Sequence, residues 1–327
     1  MRIVLVTTVA GLAAAAMPHV ASAHVGKTLP VATNFTAHVT GFTPAAPAFD
    51  AKVVDGDQTL WLRVPGTVVV TVPGTLGEPL LRFDRRGVWL NLHSLTAQAD
   101  RIDRFDLRPS ANPSAPPLWH RVTSGHAYAW HEHRLHLLEP LARGRSSAGT
   151  VGPWSVPLIA DGRRLRVHGL LDFQPPGRTW AWIGLAVAAA VAAGLVAVRS
   201  SAILVALGFA VTALAWALRV GRELYGRPDV PIVGDVEIAL TYAVGVGLLY
   251  GLTRRSESAR VFTAFLVGFG GLYEGLTMLP VLTHSAALSV LPSLFARASA
   301  ALVLGAGGGV LAASTLGYLR TASLEAA

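Results

Sequence analysis

The chain has 327 residues, of which 52% are hydrophobic and 14% are charged, a composition too apolar for an ordinary soluble protein of this length. It contains no cysteine, which excludes disulfides, thiolate chemistry, covalent haem attachment and a lipoprotein anchor. The formal net charge is +8 and comes almost wholly from arginine. In a chain with membrane spans, that charge favours anionic lipid or acidic envelope polymers as partners over nucleic acid.

The first 23 residues predict a signal peptide. Arg2 precedes an apolar run from Ile3 to Ala16, and Ala21-Ser22-Ala23 provides a cleavage site of the small-x-small type. Cleavage after Ala23 would leave His24 as the new N-terminus. The α-amine and Nδ1 of an N-terminal histidine can chelate one ion together, so we expect His24 to be a metal ligand.

Residues 24–174 predict an extracytoplasmic all-β domain. Short runs of β-type residues alternate there with Gly, Pro, Asp and Asn. Eight to ten short strands in such a length indicate an immunoglobulin-like sandwich. The predicted strands are Asp50–Val54, Thr59–Val64, Thr67–Val72, Leu80–Phe83, Val88–Leu90, Trp119–Thr123, Ala127–His133, Trp154–Ile159 and Leu165–Phe173.

Residues 175–179 are a predicted linker, and a five-helix transmembrane bundle follows, so the whole chain is expected to be an α+β membrane protein. Arg254, Arg255 and Arg260 form the densest basic loop, which the positive-inside rule places in the cytoplasm. The signal peptide places the β-domain outside the cytoplasm and the C-terminus inside. The predicted spans are residues 180–198, 202–218, 233–252, 262–282 and 295–318, followed by a tail at 321–327.

Two pairs of glycines in the predicted bundle have the spacing that allows close helix contact. They are Gly271 with Gly275 and Gly305 with Gly309. The spacing is compatible with dimerisation or with packing inside one bundle, and packing inside one bundle is favoured.

Three histidines lie within six residues of one another, at His131, His133 and His136. In a strand, alternate side chains share a face, so His131 and His133 would lie roughly 6–7 Å apart at Cα, which suits two ligands of one metal. His136 has the wrong parity for that face unless a bulge or turn intervenes. On a helix His136 would instead neighbour Glu132 and His133. A polar edge strand whose histidines meet water is the alternative.

These histidines and His24 are the predicted metal ligands. Nitrogen donors bind Cu(II) most strongly among the divalent first-row ions, so copper is the first expectation and zinc the alternative. Glu132 and Arg134 would point to the opposite face of the strand, where they could pair with each other or orient neighbouring groups.

Glu274 is a further candidate, because it lies roughly 12 Å inside the fourth predicted span. Ionisable groups at such depth often mark functional sites. Tyr242, Arg297 and His284 are its expected partners. A neutral or paired structural carboxyl is the alternative.

No nucleophile elbow, P-loop, dinucleotide fingerprint, zinc-protease helix or EF-hand loop occurs in the sequence, so an enzyme is not favoured. The leading hypothesis is a membrane-anchored extracytoplasmic protein that binds copper or another transition metal in the cell envelope. One alternative is a metal-free assembly module whose arginine-rich face binds another envelope protein. A second alternative is a small transporter that uses Glu274.

The whole chain resembles a family of uncharacterised multi-pass membrane proteins of high-GC bacteria. The resemblance implies a signal peptide, a β-rich ectodomain and a helical bundle, and it assigns no activity. An aromatic residue follows the last histidine of the family motif, where this chain has Leu137. The matching residues are Trp130, His131, Glu132, His133, Arg134 and His136, with Leu80-Leu81-Arg82, Gly87-Val88 and Val281-Leu282-Thr283-His284.

The ectodomain is also similar to the CopC-like periplasmic copper-binding proteins. The similarity lies in an N-terminal histidine on a secreted β-domain and in a closing hairpin with Asp161-Gly162, Gly169 and Phe173. Those proteins have a ligand histidine directly after Asp-Gly, where this chain has Arg163. His168, on the same hairpin, is therefore the candidate ligand that this resemblance implies.

Overall fold

The computed structural model describes residues 30–99, 112–225, 245 and 247–326, with side chains as far as residue 319. The described residues form two compact units. Asn34–Pro175 belong to a β-rich unit, and Val31–Thr33 belong with the residues from Pro176 onward to a helical unit. A β-rich N-terminal part followed by a helical region confirms the coarse architecture that the sequence predicts.

Antiparallel pairing organises all of the strands in the described part of the chain. A seven-stranded sheet has the order β2-β11-β10-β5-β6-β7-β8, a three-stranded sheet has the order β3-β4-β9, and β1 pairs with β12 in the helical unit. The strands are β1 (Ala32–Thr33), β2 (Phe35–Thr43), β3 (Asp50–Val54), β4 (Thr59–Arg63), β5 (Val70–Pro73), β6 (Pro79–Asp84), β7 (Gly87–Asn91), β8 (Trp119–Thr123), β9 (Ala127–His131), β10 (Gly149–Ala160), β11 (Arg163–Phe173) and β12 (Ala286–Ala287).

The seven-stranded and three-stranded sheets share one hydrophobic core. Leu60 and Trp130 of the smaller sheet lie in the same buried cluster as Phe83, Trp154 and Val167 of the larger one. Along β11, buried and more exposed residues alternate, as expected for a sheet with one face packed against apolar side chains. The predicted β-rich character of this part of the chain is therefore confirmed, while the immunoglobulin-like topology stays a prediction.

Strand β2 is the main element that the sequence analysis missed. It is an edge strand whose only described neighbour is β11, and most of its side chains are exposed or half-buried. Gly41, at φ +155°, interrupts it beside a register shift in the pairing with β11. A glycine and polar outward residues weaken the alternation that marks a strand.

The helical unit contains α2 (Thr179–Ala197), α3 (Ser201–Glu223), α4 (Glu257–Thr277), α5 (Leu279–Thr283) and α6 (Ser293–Ala326); the β-rich unit contains the short helix α1 (Leu95–Ala99). The side chains of Ser200 and Ser256 accept backbone N–H bonds at the starts of α3 and α4. Three of the described helices, α2, α3 and α6, are long and apolar enough to cross a membrane.

The other two predicted spans are not established. Most of residues 233–252 lie outside the described residues. In place of one span over 262–282, the chain forms α4, a break at Met278, and α5 with Pro280 in its first turn. Proline fits the first turn of a helix but not its interior, which accounts for the separate start of α5. The five-helix bundle therefore stays a prediction.

The spaced glycines pack helices of this unit against one another. A Cβ on Gly305 or Gly309 would collide with the carbonyl oxygens of Ala186 and Ala190 on α2. A Cβ on Gly275 would lie 2.5 Å from the backbone of Leu304 on α6. The absence of side chains thus lets these backbones touch, which confirms packing inside one bundle.

Glu78 links the hairpin of β5 and β6 to α1. Its Oε1 accepts bonds from the hydroxyl of Ser94 at 2.7 Å and from the backbone N–H of Thr96 at 3.0 Å. Burial acts to raise the pKa of Glu78, but the hydrogen bonds from Thr96 and Ser94 outweigh it, and the pKa lies below its ordinary value of 4.5. The folded state therefore favours the carboxylate.

We expect Glu78→Gln to destabilise the full-length protein by about 1 kcal/mol at pH 7. The groups of Ser94 and Thr96 at the start of α1 would then donate to a neutral amide instead of a carboxylate, and such hydrogen bonds are weaker. A lowered carboxyl pKa stabilises the fold above pH 4.5, and that stabilisation is lost as the pH falls through the folded pKa. The difference in melting temperature between the two proteins should accordingly shrink below about pH 4. Asp50→Asn, at an exposed carboxylate, is the matched control; an equal loss there would contradict the assignment.

Candidate metal centre

Strand β9 ends two residues earlier than predicted. The strand stops at His131, and Glu132, with φ −129° and ψ 98°, caps a 3₁₀ turn over His133–Leu135. Leu135 is fully buried in the core of the β-rich unit and anchors the turn. The prediction that His131 and His133 share a strand face is therefore wrong, because the backbone changes direction between them.

The carboxylate of Glu132 holds this change of direction in place. Only 2% of its side chain is exposed. It accepts a bond from the indole N–H of Trp130 at 3.0 Å, from the backbone N–H of Arg134 at 3.2 Å, and from the Arg134 guanidinium at 2.6 and 2.7 Å. The guanidinium also donates to the carbonyl oxygen of Pro73 at 3.0 Å. Glu132 and Arg134 thus pair with each other, and the pair is buried rather than placed on an outer face.

The turn brings three imidazoles together, and His131, His133 and His136 are called the histidine trio below. One ring nitrogen from each lies within 4.8 Å of the others, and all three residues are half-buried. The ring centroids are 4.7 Å apart for His131 and His133, 5.2 Å for His131 and His136, and 5.3 Å for His133 and His136. The 3₁₀ turn is the interruption that His136 requires to lie on the same side of the chain as His131 and His133.

A hydrogen bond to a backbone carbonyl oxygen defines the tautomer of His136. Nδ1 of His136 lies 3.3 Å from the carbonyl oxygen of Asp57, which can only accept, so this nitrogen is the donor. In the neutral ring Nε2 of His136 then has the lone pair and accepts a hydrogen bond at 3.2 Å from Nδ1 of His133, whose proton a bound ion would replace. A histidine that donates one N–H to a carbonyl and presents its other nitrogen is the usual arrangement of a metal ligand.

The spacing of these nitrogens fits a transition-metal ion. In a tetrahedral site with bonds of about 2.0–2.1 Å, two ligand nitrogens lie about 3.3 Å apart. The 3.2 Å between His133 and His136 is close to that value, and a ring nitrogen of His131 lies within 4.8 Å of the other two. The residues therefore could hold a metal ion through three imidazoles.

An acidic pair borders the trio. Burial raises the pKa of Glu139 to about 8, helped by a hydrogen bond to Asp57 and by its negative charge, and opposed by Arg143. Asp57 is 1% exposed. Below pH 8 the Glu139 carboxyl group is therefore mostly protonated, which lowers the negative charge beside the imidazoles.

Asp57 and Glu139 were missed by the sequence analysis. Asp57 lies in the turn between β3 and β4, where Asp55 and Gly56 have positive φ, and such Asp-Gly turns are common on protein surfaces. Pro140 after Glu139, with a second short 3₁₀ turn over Glu139–Ala142, was the available signal that the chain folds back here. Neither feature indicates proximity to a histidine 79 residues away in the chain.

The other candidate ligands lie elsewhere or outside the described residues. His24 is outside them. His168 is on β11, where Nδ1 lies 2.9 Å from the Thr40 hydroxyl and Nε2 lies 3.0 Å from the Thr43 hydroxyl. No group of three potential ligands within the described residues includes His168. The contacts of His168 with two hydroxyl groups therefore connect β11 to the edge strand β2.

Glu274 has a different partner from those predicted. Its Oε2 lies 3.6 Å from the guanidinium of Arg219 on α3. Arg297 instead donates to the carbonyl oxygens of His284 and Ser285 at 2.7 and 2.6 Å, and Tyr242 lies outside the described residues. Glu274 is thus paired with an arginine within its own unit, as the structural alternative expected.

Comparison with known proteins gives no relatives: no family model, no curated protein and no solved structure matches this chain.

Removing the buried carboxylate should unfold the turn. We expect Glu132→Ala to cost about 3–5 kcal/mol in the free energy of unfolding, because the Arg134 charge would stay buried without its partner. Chemical denaturation of the full-length protein, followed by tryptophan fluorescence, measures this loss.

Two comparison variants separate pairing from packing. Glu132→Leu combined with Arg134→Met removes both charges at similar volume and should recover much of the loss. Asp50→Ala breaks an exposed pair with Arg63 and should cost less than about 1 kcal/mol. Equal losses for Glu132→Ala and Asp50→Ala would contradict a structural role for the buried pair.

Proposed function

We propose that this chain is a membrane protein whose β-rich domain lies outside the cytoplasm and binds a transition-metal ion through His131, His133 and His136. The observation that supports the proposal best is the geometry of the histidine trio. Three ligand nitrogens lie within 4.8 Å, and the Asp57 carbonyl oxygen fixes the tautomer of His136 with Nε2 directed at the trio. Surface histidines that merely contact water have no need of a backbone carbonyl group that orients their rings.

Copper(II) is the proposed ion and zinc(II) the alternative. Neutral imidazoles bind both, and nitrogen donors favour copper among divalent first-row ions. Three protein ligands leave a coordination position for water or for a further donor, and we propose His24, at a processed N-terminus, as that donor. Binding and release of metal in the cell envelope is the function that this site supports, without a catalytic step.

The membrane arrangement is the second part of the proposal. We propose five spans, an immunoglobulin-like topology for the extracytoplasmic domain, and a cytoplasmic C-terminus. Three helices of sufficient length and apolarity support membrane insertion. The arginine loop at residues 254–260 supports the orientation, since basic loops stay in the cytoplasm.

Metal titration of the full-length protein in detergent, purified without a polyhistidine tag, tests the site. We expect one ion to bind with a Kd tighter than about 10 μM, or roughly −7 kcal/mol. His131→Ala, His133→Ala and His136→Ala should each weaken binding at least about 30-fold, roughly 2 kcal/mol, because each removes one of three donors. Calorimetry gives the affinity, and electron paramagnetic resonance of bound Cu(II) counts the nitrogen ligands.

His126→Ala and His168→Ala are the matched controls and should bind as the wild type does. Equal binding by all five variants would place the metal elsewhere. A wild-type protein that binds neither Cu(II) nor Zn(II) tighter than 10 μM, on the scale just given, would exclude the proposed function.

Because the chain has no cysteine, single introduced cysteines can report the orientation. Ser147 and Ser258 are both exposed, the first in the β-rich unit and the second in α4 beside the arginine loop. In intact cells we expect a membrane-impermeant maleimide to label Ser147→Cys and to label Ser258→Cys only after permeabilisation. Labelling in the opposite sense would reverse the proposed orientation.

A further inference from the structure

The hairpin of β6 and β7 presents two arginines at its tip. Asp84 pairs with Gly87, so Arg85 and Arg86 form a two-residue turn, and both side chains are exposed. Gly87 has φ +125°, and a Cβ there would collide with the carbonyl oxygen of Thr123 on β8. The glycine therefore lets the tip pack against β8 while the arginines stay in solvent.

An indole lies between two arginines on the outer face of the same sheet. Trp89 is opposite Arg82 on β6 and opposite Arg121 on β8. Val88 and Leu90, the neighbours of Trp89 in β7, are fully buried on the other face. The sheet thus presents a cation–aromatic–cation row away from its core.

Asp84 orders this region. Its Oδ1 accepts the indole N–H of Trp89 at 3.0 Å and the backbone N–H of Arg86 at 2.8 Å, and its Oδ2 lies 3.4 Å from Nε of Arg82. Burial acts to raise the pKa of Asp84, but the bonds from Trp89 and Arg86 and the charges of Arg82 and Arg86 outweigh it, and the pKa falls below 3.8. The indole and the turn are therefore held in place before any ligand binds.

These groups line a groove of about 690 Å³, called the arginine–tryptophan groove below. Its charge is strongly positive, because Arg82, Arg85 and Arg86 line it with one carboxylate, that of Asp84. The lining also includes Thr67, Trp89 and Trp119.

We propose that the arginine–tryptophan groove binds a carbohydrate that carries carboxylate or phosphate groups. Guanidinium groups match the planar or tetrahedral oxygens of these anions with paired N–H donors. Indole rings provide flat apolar surfaces for the C–H face of a sugar ring. A neutral sugar would leave the arginines without partners, and a bare anion would leave the indoles without contact. A flat layer of lipid headgroups could reach the hairpin tip, but it does not fill a concave groove.

Binding of soluble probes to the full-length protein in neutral phosphatidylcholine nanodiscs tests the proposal. The probes are oligogalacturonate, a phosphorylated mannose oligomer, a neutral galactose oligomer of equal length, tripolyphosphate and glycerophosphoglycerol. We expect at least one of the two anionic sugars to bind about tenfold or more tightly than each of the other three probes. That affinity should fall as salt is added, because the contacts include exposed charges.

Variants locate the binding. Arg85→Gln combined with Arg86→Gln should weaken the sugar about tenfold, as expected for the loss of two exposed charge contacts. Trp119→Leu should weaken the sugar and leave tripolyphosphate unchanged, with the fold verified by circular dichroism. Arg164→Gln, at an exposed arginine of β11 outside the groove, is the matched control for charge and should bind as the wild type does.

Three outcomes overturn the proposal. Tripolyphosphate that binds as tightly as the anionic sugars would indicate a site for charge alone. Glycerophosphoglycerol that binds as tightly would indicate a lipid headgroup. Neither anionic sugar binding tighter than about 1 mM at low salt, roughly −4 kcal/mol, would leave the groove without this ligand class. None of these outcomes depends on the histidine trio, so the metal proposal is tested separately.

Discussion

The buried ion pair of Glu132 and Arg134 is the interaction on which the candidate metal centre depends. A carboxylate with 2% of its side chain exposed is tolerable only when its oxygens accept strong bonds, and here a guanidinium, an indole N–H and a backbone N–H all donate to it. The backbone bond is part of the 3₁₀ turn that follows β9. The ion pair therefore determines both where β9 ends and the direction in which the next residues run.

That feature explains why the histidines converge. An uninterrupted strand would place His131 and His133 on one face and His136 on the other. The turn after Glu132 replaces that alternation, and burial of Leu135 fixes the turn against the core. The imidazoles then lie on the same side of the chain, with the Asp57 carbonyl oxygen orienting the last of them.

The parts of the structure that were predictable from sequence are those in which side-chain alternation or apolar length decides the outcome. β3 and β8 occur with the predicted boundaries, and α2, α3 and α6 are the predicted apolar helices.

The metal centre was only partly predictable. The residue types of the centre and their proximity in the chain were visible in the sequence. The change from strand to turn, however, depends on the Glu132 carboxylate accepting the backbone N–H of Arg134. It also depends on long-range contacts, such as that between His136 and Asp57. The pairing of Glu274 with Arg219 likewise depends on which helices neighbour each other, and residue spacing does not provide that information.

The compactness of the trio along the chain has a consequence for metal exchange. All three imidazoles come from six consecutive residues, so their bonds to an ion close only a very short loop, and of the proposed donors only His24 would tie a distant part of the chain to the ion. In many small metal-dependent domains the ion and the fold form together, and release of the ion means unfolding. Here the side chains that hold the turn are Leu135 in the hydrophobic core and the Glu132–Arg134 pair, and none of them is a proposed ligand. Release of an ion from the proposed site would therefore not remove the contacts that hold the turn, as delivery from one protein to another requires.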